Sequence, residues 1–338
     1  MGRLFSIFIL FTLVSCNLVT KSIPDAEYFT IHFDTLHIKE ELMSDSCDFA
    51  NLRSVCYYKG NYIVEFENHL SGASFFSLSE DLQSMAYFAC PDSIFSYEDL
   101  FIRRDTLFTL VSHGFWPTMW TRYYDETEQI WKYYTEKEYN EYRFETFYED
   151  ERFSVAYSPR ILRSGYLLFE EKDSGIKHCF SSRSLEHLLN HGGHYYLIGT
   201  FGIDRINDPL VASADSSVYT KQPKCGPYGE HIVQLDADWD YNNTDTCFYS
   251  GLLVHDSIYV LGCNDKSTFF VKVENDTVVP AFDFGVKLQL YDYGWSWIPG
   301  SSQNRLIRPF FWEKLDGTRY EGFLDINGYD IHAIYIDF

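Results

Sequence analysis

The sequence predicts an all-β fold, and among all-β architectures a β-propeller of about five to seven blades. Three observations lead there. Short apolar runs alternate with turns carrying Gly or Asp from Tyr28 to the C-terminus. The turn-strand unit recurs at roughly 40–50 residues, the length of a four-stranded blade. Aromatic residues make up 19% of the 338-residue chain, and their rings suit the pleated face of a sheet. Paired β-sandwiches are the alternative that the same short strands allow.

The strands read in order as follows. Tyr28 to Phe33 opens the β region and is placed to complete the last blade, closing the ring and covering its edges. Lys59-Gly60-Asn61 leads into Tyr62 to Phe66, followed by Ala73 to Leu78. Arg104-Asp105 leads into Thr106 to Val111, Ser164-Gly165 into Tyr166 to Phe169, and Gly192-Gly193 into His194 to Gly199. His255-Asp256 precedes Ser257 to Leu261 and Thr268 to Val273. The turns fall near positions 60, 105, 165, 193, 256 and 303, at uneven spacing. Tyr123 to Glu151, dense in Tyr, Glu and Asp, departs from the pattern and reads as a short helix or an insertion across one face. No linker rich in Gly, Ser or Pro divides the chain, so residues 28–338 read as one domain.

The N-terminus carries the firmest functional signal. Arg3 is followed by eleven mostly apolar residues, Leu4 to Val14, then Ser15-Cys16. That pattern is a secretory signal peptide over residues 1–15. It is too short to span a bilayer, which takes about 20 residues. Leu13-Val14-Ser15-Cys16 resembles the lipobox of bacterial, Bacteroidota-like lipoproteins. The resemblance implies cleavage after Ser15, acylation of Cys16 and residence in the cell envelope, at the outer membrane. Two or three acyl chains hold firmly where one binds reversibly. Residues 16–27 then form a polar, lipidated tether. A plain signal peptide with an incidental cysteine is one rival reading. N-myristoylation at Gly2 is another, but it leaves the lipobox spacing without a reason.

Composition narrows the partners. The formal charge is −22, and losing Arg3 with the signal peptide takes it to −23. A surface this acidic disfavours nucleic acid. The membrane is expected to be met through lipid rather than protein charge, and the remaining partners are a glycan or an envelope protein. Seven cysteines accompany Cys16, with no CxxC pair. In an oxidising compartment some can pair, Cys47–Cys56 and Cys247–Cys263 being closest in sequence; buried single thiols acting as small hydrophobes are the plainer reading, and the odd count leaves at least one thiol free.

A second resemblance concerns the fold. Ser213-Ala214-Asp215-Ser216-Ser217-Val218-Tyr219-Thr220 is similar to the Asp-box, Ser-x-Asp-x-Gly-x-Thr-Trp, of sialidase-like propellers. Ser217, Tyr219 and Thr220 depart from it. Ser79-Glu80-Asp81 is a second partial match, with Gln83 at the glycine place. The resemblance implies a propeller, and an Asp-box lies on a turn away from the catalytic centre in that family.

Candidate chemistry is sparse. A propeller glycosidase needs two carboxylates flanking the scissile bond. Asp204, Arg205 and Asp208, in the segment Gly199 to Pro209, are the local candidates, read as a loop between strands. The plainer reading is a turn at Asp204-Arg205 and a stop at Asp208-Pro209. Trp116, Trp120, Trp295 and Trp297 are candidate ligand platforms, since indole faces suit the apolar faces of sugars; they equally suit the core between blades. His187, His191 and His194 would need a helix to share a zinc ion, and Gly192-Gly193 argues for a turn instead, so no metal and no cofactor are expected. Asp-[Ser/Thr]-apolar triplets such as Asp256-Ser257-Ile258 resemble an O-glycosylation acceptor pattern, but turn-then-strand syntax produces them too. The preferred function is a non-enzymatic, membrane-anchored lipoprotein that binds a glycan or partner protein. A glycoside hydrolase and a structural subunit of an envelope complex are the alternatives.

Overall fold

The computed structural model describes residues 29–38, 49–68, 72–89, 98–103, 105–112, 119–133, 145–159, 165–182, 185–212, 229–235, 246–290, 304–313 and 318–337. They form a six-bladed β-propeller. Blade 1 is β2 (Phe49–Tyr58), β3 (Asn61–Asn68), β4 (Gly72–Ser79) and β5 (Met85–Phe88). Blade 2 is β6 (Glu98–Arg103), β7 (Thr106–Ser112), β8 (Met119–Asp125) and β9 (Ile130–Tyr133). Blade 3 is β10 (Glu145–Glu149), β11 (Phe153–Pro159), β12 (Gly165–Glu171) and β13 (Lys177–Ser182). Blade 4 is β14 (His187–His191), β15 (His194–Gly199), β16 (Gly202–Ile206) and β17 (Glu230–Gln234). Blade 5 is β18 (Thr246–Val254), β19 (Ser257–Asn264), β20 (Thr268–Glu274) and β21 (Thr277–Asp283). Blade 6 is β22 (Gln289–Leu290), β23 (Arg305–Glu313), β24 (Arg319–Asn327) and β25 (Asp330–Asp337), with β1 (Thr30–His37) added outside.

The first strand does close the ring. It pairs parallel with β25, Thr30 beside Asp330 through His37 beside Asp337. It extends a blade that already has four strands, so the closure is a fifth strand rather than a missing fourth. The parallel sense is possible because some 300 residues of propeller separate the two strands, ample for the crossover a parallel pair needs.

The sequence turns find their place in this frame. Gly60, Asp105, Gly193 and Asp256 lie between the first and second strands of blades 1, 2, 4 and 5, and Asn304 lies just before the second strand of blade 6. Gly165 is the exception, because it opens the third strand of blade 3. The equivalent turn of blade 3 is Asp150-Glu151-Arg152, where the Asp150 carboxylate accepts from the backbone N–H of Arg152 at 2.8 Å and Phe153 at 2.7 Å. Taking Asp150 in place of Gly165 removes most of the uneven spacing. Of residues 123–151, expected as helix or insertion, the described ones form the end of β8, β9, β10 and their turns, while 134–144 lie outside the described residues. The acidic residues Glu126 and Glu128 of the β8–β9 turn, with the Tyr and Lys of the half-exposed outer strand, give that stretch its polar look. Among the described residues there is no α-helix, and a single 3-10 turn, Pro209–Val211, follows β16.

The core lies between blades. Leu189, Ile198 and Ile203 of blade 4 meet Phe248, Ile258 and Val260 of blade 5. Leu252, Leu261 and Phe270 of blade 5 meet Leu306, Phe310 and Leu324 of blade 6. Leu52, Val64 and Phe66 of blade 1 meet Ile307, Phe323 and Ile334 of blade 6, which seals the ring. Each sheet is therefore covered on both faces, and its strands read as continuous apolar runs rather than clean alternation. Gly-Tyr-Leu-Leu-Phe of β12, buried throughout, is the plainest case.

Close approach leaves no room for a side chain at Gly322 in β24. A Cβ there would run into the carbonyl oxygen of Ile334 and come within 2.9 Å of the Phe310 ring. Gly322→Ala is expected to cost about 1–3 kcal/mol, by the overpacking argument. A lowered urea midpoint with unchanged β-type circular dichroism is the expected reading, and an unchanged midpoint would mean the strands can part there.

Cys56, Cys247 and Cys263 are in no disulfide, so neither of the two sequence-adjacent pairs forms, in line with the plainer reading. Cys56 is buried toward blade 2, and burial pushes its thiol pKa up. Cys247 and Cys263 stand opposite one another on β18 and β19, but the Cys263 thiol donates to the Asn264 carbonyl at 3.3 Å. Cys179, fully buried in β13, is disulfide-bonded.

Candidate functional site

The local geometry of blade 4 corrects the reading of residues 199–209 as a loop. Gly199 ends β15, Thr200 and Phe201 make the turn, and Asp204 and Arg205 sit inside β16. Neighbouring residues of a strand face opposite sides, so the candidate trio divides. Asp204 turns toward blade 3. Arg205 turns toward blade 5, where its guanidinium meets Asp276 in the β20–β21 turn and Glu230 at 2.9 Å. Those carboxylates, Glu230 first, hold the guanidinium charge more firmly than usual. Asp208 caps the 3-10 turn, accepting from the Leu210 N–H at 3.0 Å, and is exposed. The carboxylates of Asp204 and Asp208 thus serve separate local structures.

Asp204 has a partner that local sequence does not disclose. The β16–β17 ladder slips between Ile203 and Asp204, so Ile203 faces Val233 while Asp204 faces His231. Ile232 is the extra residue of a β-bulge, a feature that re-aims side chains. The His231 Nδ1–H donates to Asp204 Oδ1. Asp204 is buried, at 8% exposure, while the His231 side chain is 38% exposed. A buried carboxylate behind a half-exposed imidazole fixes the ring's tautomer and orientation.

The pair lines a small open recess between blades 3 and 4, of about 10 Å³, room for a single water or hydroxyl group. Phe201 offers a ring, Gly202 is half-buried beside the buried Gly199, and Ser182 lines the recess from the end of β13. Aromatic surface beside a few convergent polar groups can meet one polar group of a partner lying across the recess. His231 lies 27 residues from Asp204 in sequence, and no spacing rule joins them.

The other candidates fall variously. Trp116, Trp295, Trp297, Cys16 and the Asp-box-like stretch Ser213 to Thr220 lie outside the described residues. Trp120 is placed on β8 opposite Val111, with its side chain outside the described set. The partial match at Ser79 forms the β4–β5 hairpin turn. There Asp81 Oδ1 accepts from the Ser79 hydroxyl at 2.6 Å and the Gln83 N–H at 3.1 Å. Those hydrogen bonds, Ser79 first, hold the Asp81 carboxyl below its usual range. His187, His191 and His194 lie on a β-hairpin, turned by Gly192 and Gly193 at φ +59° and +80°, a conformation glycine adopts freely. His187 is buried against Ser250, and His191 lies 3.6 Å from Asp256. Among the described residues no group of three or more His, Cys, Asp or Glu side chains is placed to hold a metal ion.

A second polar cluster, also unannounced by local sequence, ties three blades together. Arg308 of β23, 1% exposed, donates to the Tyr249 carbonyl of blade 5 and lies 3.9 Å from Glu186 Oε2 of blade 4. Thr200 donates to the other oxygen of Glu186 at 3.1 Å. The neighbouring His187 receives the Gly251 N–H on Nδ1 at 3.0 Å, so the neutral ring carries its proton on Nε2. Burial, and then the Arg308 charge, push the His187 pKa down to about 3.

No family model and no curated protein matches the sequence. Among solved structures, the chain is similar to the extracellular domain of BT4673 from B. thetaiotaomicron, assigned as a hybrid two component system, at 9% identity and a TM-score of 0.36. The match covers 82% of this chain and 33% of that one, so this chain spans about a third of its length.

Proposed function

We propose that the protein is an exported, lipid-anchored propeller that binds a glycan or a partner's polar side chains through the recess of Asp204 and His231. The observation that carries this reading is the division of the candidate carboxylates. Asp204 is committed to His231 in a recess, and Asp208 to capping an exposed turn. A glycosidase needs two carboxyl groups facing one another across about 5–10 Å of shared site. A recess with one buried carboxylate, an imidazole and an aromatic ring suits recognition of hydroxyl groups instead. The lipobox at Leu13 to Cys16 supports anchoring, and the short tether leads to β1 on the outside of blade 6.

The test has two arms. Purified protein is screened on a glycan array and a panel of glycosides. Asp204→Asn and His231→Gln are each expected to weaken the leading ligand at least tenfold, in line with about 1.4 kcal/mol per lost charge-assisted hydrogen bond. Unchanged affinity in both variants would remove the recess from the proposal. Turnover abolished by Asp208→Asn as well as Asp204→Asn would favour the hydrolase instead. For the anchor, Cys16→Ala is expected to release the protein from the membrane fraction and to abolish labelling by a clickable palmitate analogue.

A further inference from the structure

The seam that closes the propeller carries an unusual pair of histidines. The parallel register sets His32 of β1 directly beside His332 of β25, on one face of the sheet. Their rings stack at 4.9 Å with 22° between planes, close to the spacing of neighbouring strands. Asp34, two residues after His32 and so on the same face, accepts from His332 Nδ1 at 2.8 Å. With its proton on Nδ1, His332 presents the Nε2 lone pair. A carboxylate behind a histidine is the outer-shell arrangement that orients and strengthens imidazole ligands of metals. The His332 and Asp34 side chains are 45% and 39% exposed, and His32 is exposed. Asp325 faces His332 from β24 but is held by Arg305 at 2.9 Å and by the Tyr62 hydroxyl at 2.5 Å. It anchors the floor of the seam and is not a free ligand. Asp330, two residues before His332, lies on the same face and is exposed.

We infer that His32 and His332 form a two-imidazole site for a divalent transition cation of the zinc or copper class, with Asp34 as outer-shell partner and water completing the coordination. The class follows from the ligands, since neutral imidazole suits zinc and copper, whereas magnesium and calcium take oxygen. Tetrahedral coordination at 2.0–2.1 Å places two imidazole nitrogens about 3.3 Å apart. In the stacked arrangement the in-plane lone pairs run nearly parallel, so binding requires the exposed His32 ring to swing to another rotamer and aim a nitrogen at an ion held on His332 Nε2. The bound ion bridges the first strand to the last. It therefore clasps the ring at the point where the chain leaves for its N-terminal tether, and it stabilises the closed propeller by mass action. This site is separate from the recess of Asp204 and His231, and neither reading depends on the other.

The experiment uses the full chain in detergent, stripped with a chelator and titrated with Zn²⁺ and with Cu²⁺. One equivalent of Zn²⁺ is expected to bind and raise the Tm. His32→Gln and His332→Gln are each expected to weaken it at least tenfold, and Asp34→Asn by about tenfold. His191→Gln, remote from the seam, is expected to leave affinity unchanged. Electron paramagnetic resonance of the Cu²⁺ form should report two nitrogen ligands, falling to one in His32→Gln, a readout independent of stability. Equal affinity in wild type and His32→Gln, or loss of binding in His191→Gln, overturns the proposal.

Discussion

Arg308→Met is expected to destabilise the propeller by about 3–5 kcal/mol, the range for removing one partner of a buried ion pair. The guanidinium is almost wholly buried and reaches two other blades, through the Tyr249 carbonyl and the Glu186 carboxylate. Methionine fills comparable volume, so the loss is charge and hydrogen bonding rather than a cavity. Glu186 would then keep its Thr200 hydrogen bond at 3.1 Å while losing its cation. The same Glu186 charge, after burial, pushes the Tyr157 hydroxyl pKa up, which places a negative charge in the apolar surround of blade 3. Chemical denaturation measures the effect. Adding Glu186→Gln to Arg308→Met should recover part of it, because the stranded charge is gone. A loss under about 1 kcal/mol in the single variant would show that the Arg308–Glu186 contact is not a stabilising pair.

Acid is expected to weaken the fold through His187. Its folded pKa is depressed to about 3 from 6.5, by burial first and by Arg308 second. Below pH 6.5 the unfolded chain takes up a proton that the folded chain refuses. The unfolded state therefore binds more protons, and stability falls with falling pH across the window from 6.5 to 3. At about 1.4 kcal/mol per unit, the loss is about 2 kcal/mol at pH 5 and about 3 kcal/mol at pH 4. Protonation would also set an N–H at Nδ1 against the Gly251 N–H that now donates to it. The comparison is the stability profile of His187→Gln against wild type over that window. A flatter acid limb in the variant is the expected outcome, and parallel profiles would assign the acid sensitivity to other groups.

How far the sequence could be read depends on the range over which each feature is determined. Turn chemistry is local, and Gly60, Asp105, Gly193 and Asp256 announced four hairpins. Asp150 makes the corresponding turn in blade 3 without a glycine, so Gly165 gives the stronger local signal there. The polar stretch at residues 123–133 resembles a helix or insertion in composition because its strands are half exposed and the turn between them carries Glu126 and Glu128. Asp204 was singled out as a carboxylate beside glycines, and it does line the recess. Its place in a strand is not legible locally, because a loop and a short strand between two turns share the same composition.

The all-β class, the recurrence of blades and the ring-closing first strand are legible in the chain itself. They follow from periodicity and turn residues, which act over a few positions. The blade count of six, the parallel sense of the closure, the Asp204–His231 pair and the Arg308–Glu186 contact were decided by tertiary structure. Each joins residues from 27 to some 300 positions apart, and each depends on strand register or on which blade packs against which. The bulge at Ile203/Asp204 shows the physical reason most directly. One extra residue in β17 decides which side chain faces Asp204, and nothing near Asp204 in sequence encodes that slip.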